Sequence, residues 1–360
     1  MDEVVRLTET LVRTPSHEDE SAVGDIIEEW LERHTDATVR RDEVGNVIAH
    51  RGTGEETTAL VGHHDVVPPG DGQVDDDGSM LVRIEDGRLY GRGAADMKGA
   101  VAAMMLAFRD AEPAGRVAFA SFIGEEVGGV GARHAVEQGF VPDRAVIGEG
   151  SAGYQTRDAL DVVTLHRGRR GSTLVAEGVA CHASEPEAGV NAIYRAIDAI
   201  HRLRRLERPS ITVHGEEVQA TLEVTNIDAG TAMNVIPDRC TVTLDERTLP
   251  GESMPVERCI DSIEGVSWIV DQDWPSMRCS DDAFAEGVRR ALSNVQGRKV
   301  SFAPKPHATD ASWLAKEGSA TVVVGPAERG EAHTDAESVG IDLLSAAMEG
   351  YRAVLETPFE

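Results

Sequence analysis

No stretch of the chain approaches the roughly 20 consecutive apolar residues that a helix needs to cross a bilayer, so a helical membrane protein is not expected. Residues 1–10, MDEVVRLTET, lack the basic and apolar regions of a secretory leader, and the expectation is a soluble, cytoplasmic protein. Lysine is scarce, occurring only at 98, 299, 305 and 316, and arginine carries almost all of the positive charge. With 35 basic against 63 acidic residues the formal charge is -28, which repels phosphate backbones and anionic bilayers and argues against nucleic acid or membrane as a partner. An evenly acidic, lysine-poor surface suits molar salt, where the screening length falls to about 3 Å; a merely acidic protein of low-salt habitat is the alternative. Cysteine is sparse too. Cys181, Cys240, Cys259 and Cys279 form no CxxC pair, which speaks against a thiolate zinc site and a disulfide framework.

What is present is length and pattern. The 360 residues exceed the roughly 250 to 300 at which single cores stop growing, and two domains are expected. Residues 20–34 carry apolar positions at helical spacing, followed by short strands at 38–41, 45–49 and 57–61. A helix over 97–110, a strand over 117–123, a glycine-rich turn, a helix over 130–138 and a strand over 144–147 continue the alternation, which predicts an α/β domain with a mostly parallel sheet and its site at the carboxyl ends of the strands. From about 168 the order changes to β-α-β-β-α-β, with strands at 172–177, 219–225, 240–245 and 267–270 and helices at 190–205 and 254–263. That is the ferredoxin-like motif. A helix over 283–293, a strand over 321–324 and a helix over 343–355 resume the first pattern. The expected division is therefore a discontinuous catalytic domain, 1–167 and 277–360, interrupted by an inserted domain at 168–276.

Several strand ends carry residues able to do chemistry. His63 and Asp65 point the same way in an extended chain, so one ring nitrogen of His63 can face a metal while Asp65 supports the other. His64 faces the opposite side and is read as packing or surface. Glu125 and Glu126 follow a strand directly; diverging carboxylates there can divide into a metal ligand and a general base. The glycines that follow invite a dinucleotide-binding reading, but Gly129-Val130-Gly131 leads into Ala-Arg-His without the third glycine, and the acidic pair occupies the place of a pyrophosphate. Asp96 precedes a helix and alone reads as an N-cap. Glu149 follows a strand, and His333 arrives from the far end of the chain. Together these carboxylates and imidazoles, without thiolates, suit two divalent ions bridged by one carboxylate.

Taken in order, Gly62-His63-His64-Asp65-Val66-Val67-Pro68, Tyr90-Gly91-Arg92-Gly93-Ala94-Ala95-Asp96-Met97-Lys98-Gly99, Gly124-Glu125-Glu126, Gly148-Glu149 and His333 resemble the dinuclear-zinc family of succinyl-diaminopimelate desuccinylase, acetylornithine deacetylase and carboxypeptidase G. The resemblance covers essentially the whole chain. It implies a zinc-exopeptidase-like catalytic domain with a ferredoxin-like lid that also forms a homodimer. It implies that His63 and Glu149 bind one ion, Glu126 and His333 the other, and Asp96 both, with Asp65 orienting His63 and Glu125 as general base. The ions implied are zinc, with cobalt or manganese as alternatives. In the inserted domain His182 resembles the lid histidine that helps hold an oxyanion, and Asn234 and Arg247 match substrate-binding positions, although Asp238 stands where many members have glycine. Arg169 and Arg170 look like the stretch of the desuccinylases, where a guanidinium would hold a succinyl carboxylate; an interdomain ion pair is the rival reading. The substrate expected is a small N-acyl amino acid, N-succinyl-LL-2,6-diaminopimelate first, then acetylornithine or a related N-acyl lysine or ornithine, or a peptide cut by a metallo-carboxypeptidase or dipeptidase.

Overall fold

The computed structural model describes residues 2–76 and 78–359, which form two compact units: Met1–Leu165 with Met277–Lys305 and Thr309–Glu360, and His166–Ser276 with Pro306–Ala308.

The first unit is built on a nine-stranded sheet. In spatial order its strands are Thr38–Arg41, Val47–Arg51, Arg116–Phe122, Thr57–His63, Arg144–Ile147, Ala320–Val323, Val162–His166 and Met277–Arg278, with Phe302–Lys305 also paired to Val162–His166. The four strands from Arg116–Phe122 to Ala320–Val323 are parallel, and antiparallel pairs flank them. Strand side chains alternate between two cores, as the period of two requires. Val47, Ala49, Leu60, Val117, Phe119, Val146 and Val322 join a core roofed by the helices Glu3–Arg13, Ser21–His34, Gly99–Asp110, Asp282–Gln296 and Ile341–Leu355. Ile48, Ala59, Val61, Ala118, Ala120, Phe122 and Ile147 face the second core, under Val130–Glu137 and Ala311–Lys316. Covered on both faces, these strands read as continuous apolar runs rather than alternating ones. The helix Gly99–Asp110 is buried from Gly99 through Phe108, which its alanine-rich sequence permits because small side chains allow close approach from every side.

The second unit holds a four-stranded antiparallel sheet in the order Thr221–Ala229, Arg239–Arg247, Arg169–Glu177, Val266–Trp274. The helices Ala192–Leu203 and Val256–Ile260 cover one face around Leu174, Ala176, Ala196, Val242, Leu244 and Ile260. Numbered along the chain, the strands lie 2-3-1-4 across the sheet, the ferredoxin-like arrangement.

The structure corrects the element reading in places. The helix expected over 97–110 starts at Gly99, after a wide turn Ala94–Lys98. The strand expected over 219–225 is the tail of a hairpin, Ser210–Val213 with Glu216–Gln219, followed by a separate strand Thr221–Ala229; the hairpin turn is His214-Gly215, both at positive φ. The helix expected over 254–263 is confined to Val256–Ile260. Lys305 belongs to the first unit while Pro306–Ala308 go with the second. Among the described residues no helix is long and apolar enough to cross a membrane.

Candidate active site

Three parallel strands end side by side. Thr57–His63 delivers His63 at its last residue, Arg116–Phe122 leads through Ile123 and Gly124 into Glu125 and Glu126, and Arg144–Ile147 leads through Gly148 into Glu149. Gly124 adopts φ 59 to turn the chain there, a conformation that side chains other than glycine resist. Met97 fills the space between the strand ends: a Cβ on Gly62 would lie 2.5 Å from its Cε, and one on Gly148 2.6 Å.

His63 Nε2 lies 3.1 Å from Asp96 Oδ1 and 3.2 Å from Glu149 Oε1. His333 Nε2 lies 3.2 Å from Asp96 Oδ2 and 2.9 Å from Glu126 Oε1. Asp96 thus turns one oxygen to each histidine. The ligand atoms of His63, Asp96 and Glu149 fall within 4.8 Å of one another, as do those of Asp96, Glu126 and His333, so the described residues hold two candidate metal groups that share Asp96. Nitrogen and carboxylate oxygen donors at this spacing fit a pair of zinc-like divalent ions with one bridging carboxylate, and the absence of thiolates fits the same choice.

Asp96 is not an N-cap. With φ -129 and ψ 97 it lies inside the Ala94–Lys98 turn, and the helix begins beyond it. The turn is fixed by Glu337, whose Oε1 accepts the backbone N–H groups of Gly93, Ala95 and Asp96 at 3.0, 3.0 and 3.1 Å, while Oε2 accepts Arg92 Nη1 at 2.6 Å. Asp65 performs a comparable task on the other side. Its Oδ1 accepts the N–H of Glu125 at 3.0 Å and its Oδ2 that of Glu126 at 2.9 Å, and Oδ1 also stands 3.3 Å from His63 Nδ1. The nearer acceptor for that ring nitrogen is the Asp65 backbone carbonyl, at 3.2 Å. Asp65 therefore ties the histidine strand to the acidic turn rather than serving His63 alone. His64 is buried, with Nδ1 2.8 Å from Ser121 Oγ, and burial holds its imidazole neutral, pushed down to about 3.

Electrostatics sort the carboxylates. Glu125 belongs to neither metal group, and burial pushes its carboxyl well above the usual range. Burial raises Glu126 as well, against the pull of His333. Glu149 is held below its ordinary value because Lys305 and His63 outweigh its burial and the neighbouring Asp96 charge. Hydrogen bonding to Asp96 and Glu126 raises His333 to about 10, and His63 is raised although burial opposes it, through Asp65, Asp96 and Glu149.

In the second unit, His182 and Asn234 come together on the ribbon formed by Cys181–His182 and Val235–Ile236, where the Ala183 N–H donates to the Asn234 carbonyl at 2.9 Å. His182 Nδ1 lies 2.6 Å from Ser184 Oγ. Arg169, Arg170 and Arg247 gather at one end of the sheet, already paired. Arg169 Nε is 3.2 Å from Asp245 Oδ2, Arg247 Nε is 2.7 Å from Asp245 Oδ1, and Arg170 Nη2 is 3.0 Å from Asp273 Oδ2. Strand register thus sets aspartates of the same unit beside Arg169 and Arg170, while the Arg169 side chain stays 50% exposed.

A family model described as peptidase family M20/M25/M40 matches residues 59–357. The chain belongs to that family. Members similar to it include a succinyl-diaminopimelate desuccinylase of Xylella fastidiosa, 32% identical over 386 residues covering 99% of this chain and 98% of that protein. An acetylornithine deacetylase of Myxococcus xanthus is 32% identical over 335 residues, 86% of this chain and 82% of that protein. Among solved structures, aminopeptidase PepT of Bacillus cereus superposes with a TM-score of 0.82 at 21% identity, covering 98% of this chain and 97% of that one, which shows the shared M20 fold. The M20 chain described here is a metallohydrolase.

Three residues of the site escape the motif reading. Glu337 lies four positions after His333. Lys305 places its ammonium on Glu149. Asp310 is buried with neither carboxyl oxygen hydrogen-bonded, and burial pushes it up to about 8.

Proposed function

We propose that the protein hydrolyses the amide bond of an N-acyl amino acid with two divalent ions, zinc first. The observation that carries this is Asp96, one oxygen toward His63 and the other toward His333, with the carboxylate of Glu125 left over beside them. His63, Asp96 and Glu149 would hold one ion and Asp96, Glu126 and His333 the other; bound there, the ions supply Lewis-acid polarisation of an acyl carbonyl and acidify water. Glu125 takes a proton from the attacking water on its carboxylate and returns it to the departing amine nitrogen, a task suited to a carboxyl raised by burial. Asp65 sets the direction of Glu125 through the backbone N–H it accepts.

Within this class we read N-succinyl-LL-2,6-diaminopimelate as substrate, cleaved to succinate and LL-2,6-diaminopimelate, on the support of the desuccinylase relative that spans nearly the full chain. Acetylornithine is the second reading, supported by the deacetylase relative and by the aspartates beside Arg169 and Arg170, which compete for the cations a succinyl carboxylate would need. A competition assay between the two substrates in high salt decides. A higher kcat/KM for the acetyl substrate removes the succinyl reading and leaves the amidase; no chelator-sensitive hydrolysis of either removes both. We also read the second unit as a lid and homodimer contact in which His182 steadies the developing oxyanion and Asn234 and Arg247 contact substrate. Mixed dimers of His182→Ala and Glu125→Gln chains test it: recovered activity places the histidine across the dimer, and full activity of His182→Ala alone rejects its role.

A further inference from the structure

Of the four lysines in the chain, one is spent inside the site. Lys305 ends the strand Phe302–Lys305 with its side chain 5% exposed. Its Nζ donates to the Gly150 carbonyl at 2.8 Å and lies 3.2 Å from Glu149 Oε2. The other oxygen of Glu149 faces His63 Nε2. The carboxylate is divided, one oxygen in the metal group and one on an ammonium.

A carboxylate with both oxygens free can chelate a divalent ion through both, adding a donor and neutralising more of the ion's charge. We propose that Lys305 is a positioning residue that confines Glu149 to a single oxygen toward the metal, keeping the donor count low and the ion strongly Lewis-acidic. The inference rests on the two-metal reading above. The ammonium also offsets one negative charge in a cluster that contains Asp65, Asp96, Glu125, Glu126 and Glu149, so it weakens metal binding while favouring reactivity. Loss of Lys305 therefore has a signature opposite to loss of a structural prop: the ion binds tighter and turnover falls.

The test uses full-length wild type, Lys305→Gln, which keeps a donor for the Gly150 carbonyl, and Lys305→Met, each titrated with Co2+ and Zn2+ against a chromophoric chelator. Both variants are expected to bind one of the two ions about tenfold tighter or more, because a nearby positive charge has been removed. The visible absorption of the cobalt form should weaken, as it does when four-coordinate cobalt gains a donor, and kcat on the acyl substrate turned over by wild type should fall about tenfold or more. Lys305→Arg, which keeps the cation, should retain the wild-type affinity and spectrum. Wild-type affinity and spectrum in the Gln and Met variants overturn the proposal, as do weaker binding or loss of fold in both, since a structural prop then accounts for the lysine. Fewer than two ions per wild-type chain sinks the two-metal reading instead, whatever the variants do.

Discussion

Glu125 and Glu126 are adjacent, chemically identical and held by the same aspartate through their backbone N–H groups. What separates them is a partner: Glu126 faces His333 at 2.9 Å and Glu125 faces none of the candidate ligands closely enough to join a group. Glu125→Gln should lower kcat by about a thousandfold or more with both ions retained, in the range that loss of a general base costs. Glu126→Gln should cost one ion per chain, read by metal analysis after gel filtration; equal metal content in the two variants would refute the division of roles. The histidines give a second prediction. His333 is raised to about 10 and His63 lies above its ordinary value, and an ion must displace whatever protons these imidazoles carry. Loading should release protons and affinity should fall as pH falls, measured by titration calorimetry in buffers of different ionisation enthalpy. Uptake of protons would show that the sign is wrong.

At the scale of elements, the strand ends that carry the candidate ligands were readable because the chain writes each one as an apolar run stopping at a polar residue. The pairing of Arg169 with Asp245 was not, because it depends on register between strands that are far apart in sequence. The helix Glu3–Arg13 could have been read, since Val4, Leu7, Thr8, Leu11 and Val12 recur at helical spacing. The burial of Lys305 and Asp310 has no local sequence signal; it arises where the strand Phe302–Lys305 and the helix Ala311–Lys316 pack into a site whose other members are elsewhere. The Ala94–Lys98 turn yields a prediction at this level. Glu337→Ala leaves three backbone N–H groups and a buried Arg92 without their acceptor, and should destabilise the chain by about 3 to 5 kcal/mol, read by chemical denaturation. The metal-free protein must be used, so that lost ion binding does not enter; a change under 1 kcal/mol, the size of an exposed pair, would mean the turn holds its shape unaided.

For the molecule as a whole, the alternation of elements and the change of pattern near residue 168 were readable because the two units have different periodic signatures, parallel α/β in one and a β-α-β-β-α-β order in the other. The exact seam was not, since residues 306–308 group with the second unit although they lie far along the chain. The charge of -28 belongs to this scale as well. If the acidic surface is matched to high salt, Tm of the metal-free protein should rise by about 10 °C or more between roughly 0.1 and 3 M KCl as self-repulsion is screened. A flat or falling Tm would assign the acidity to something other than habitat.

Asp96 belongs to two groups that the ribosome completes at different times. His63, Asp96 and Glu149 are all present once the first 149 residues have emerged, whereas the second group lacks His333 until the entire intervening unit has been made. At a synthesis rate of about 5 to 20 residues per second, some ten seconds or more separate the two events. During that interval the shared aspartate has one set of partners and an idle oxygen, and Glu337, which shapes its turn, does not yet exist. In order of synthesis, His333 is the last of the five candidate ligands to be added.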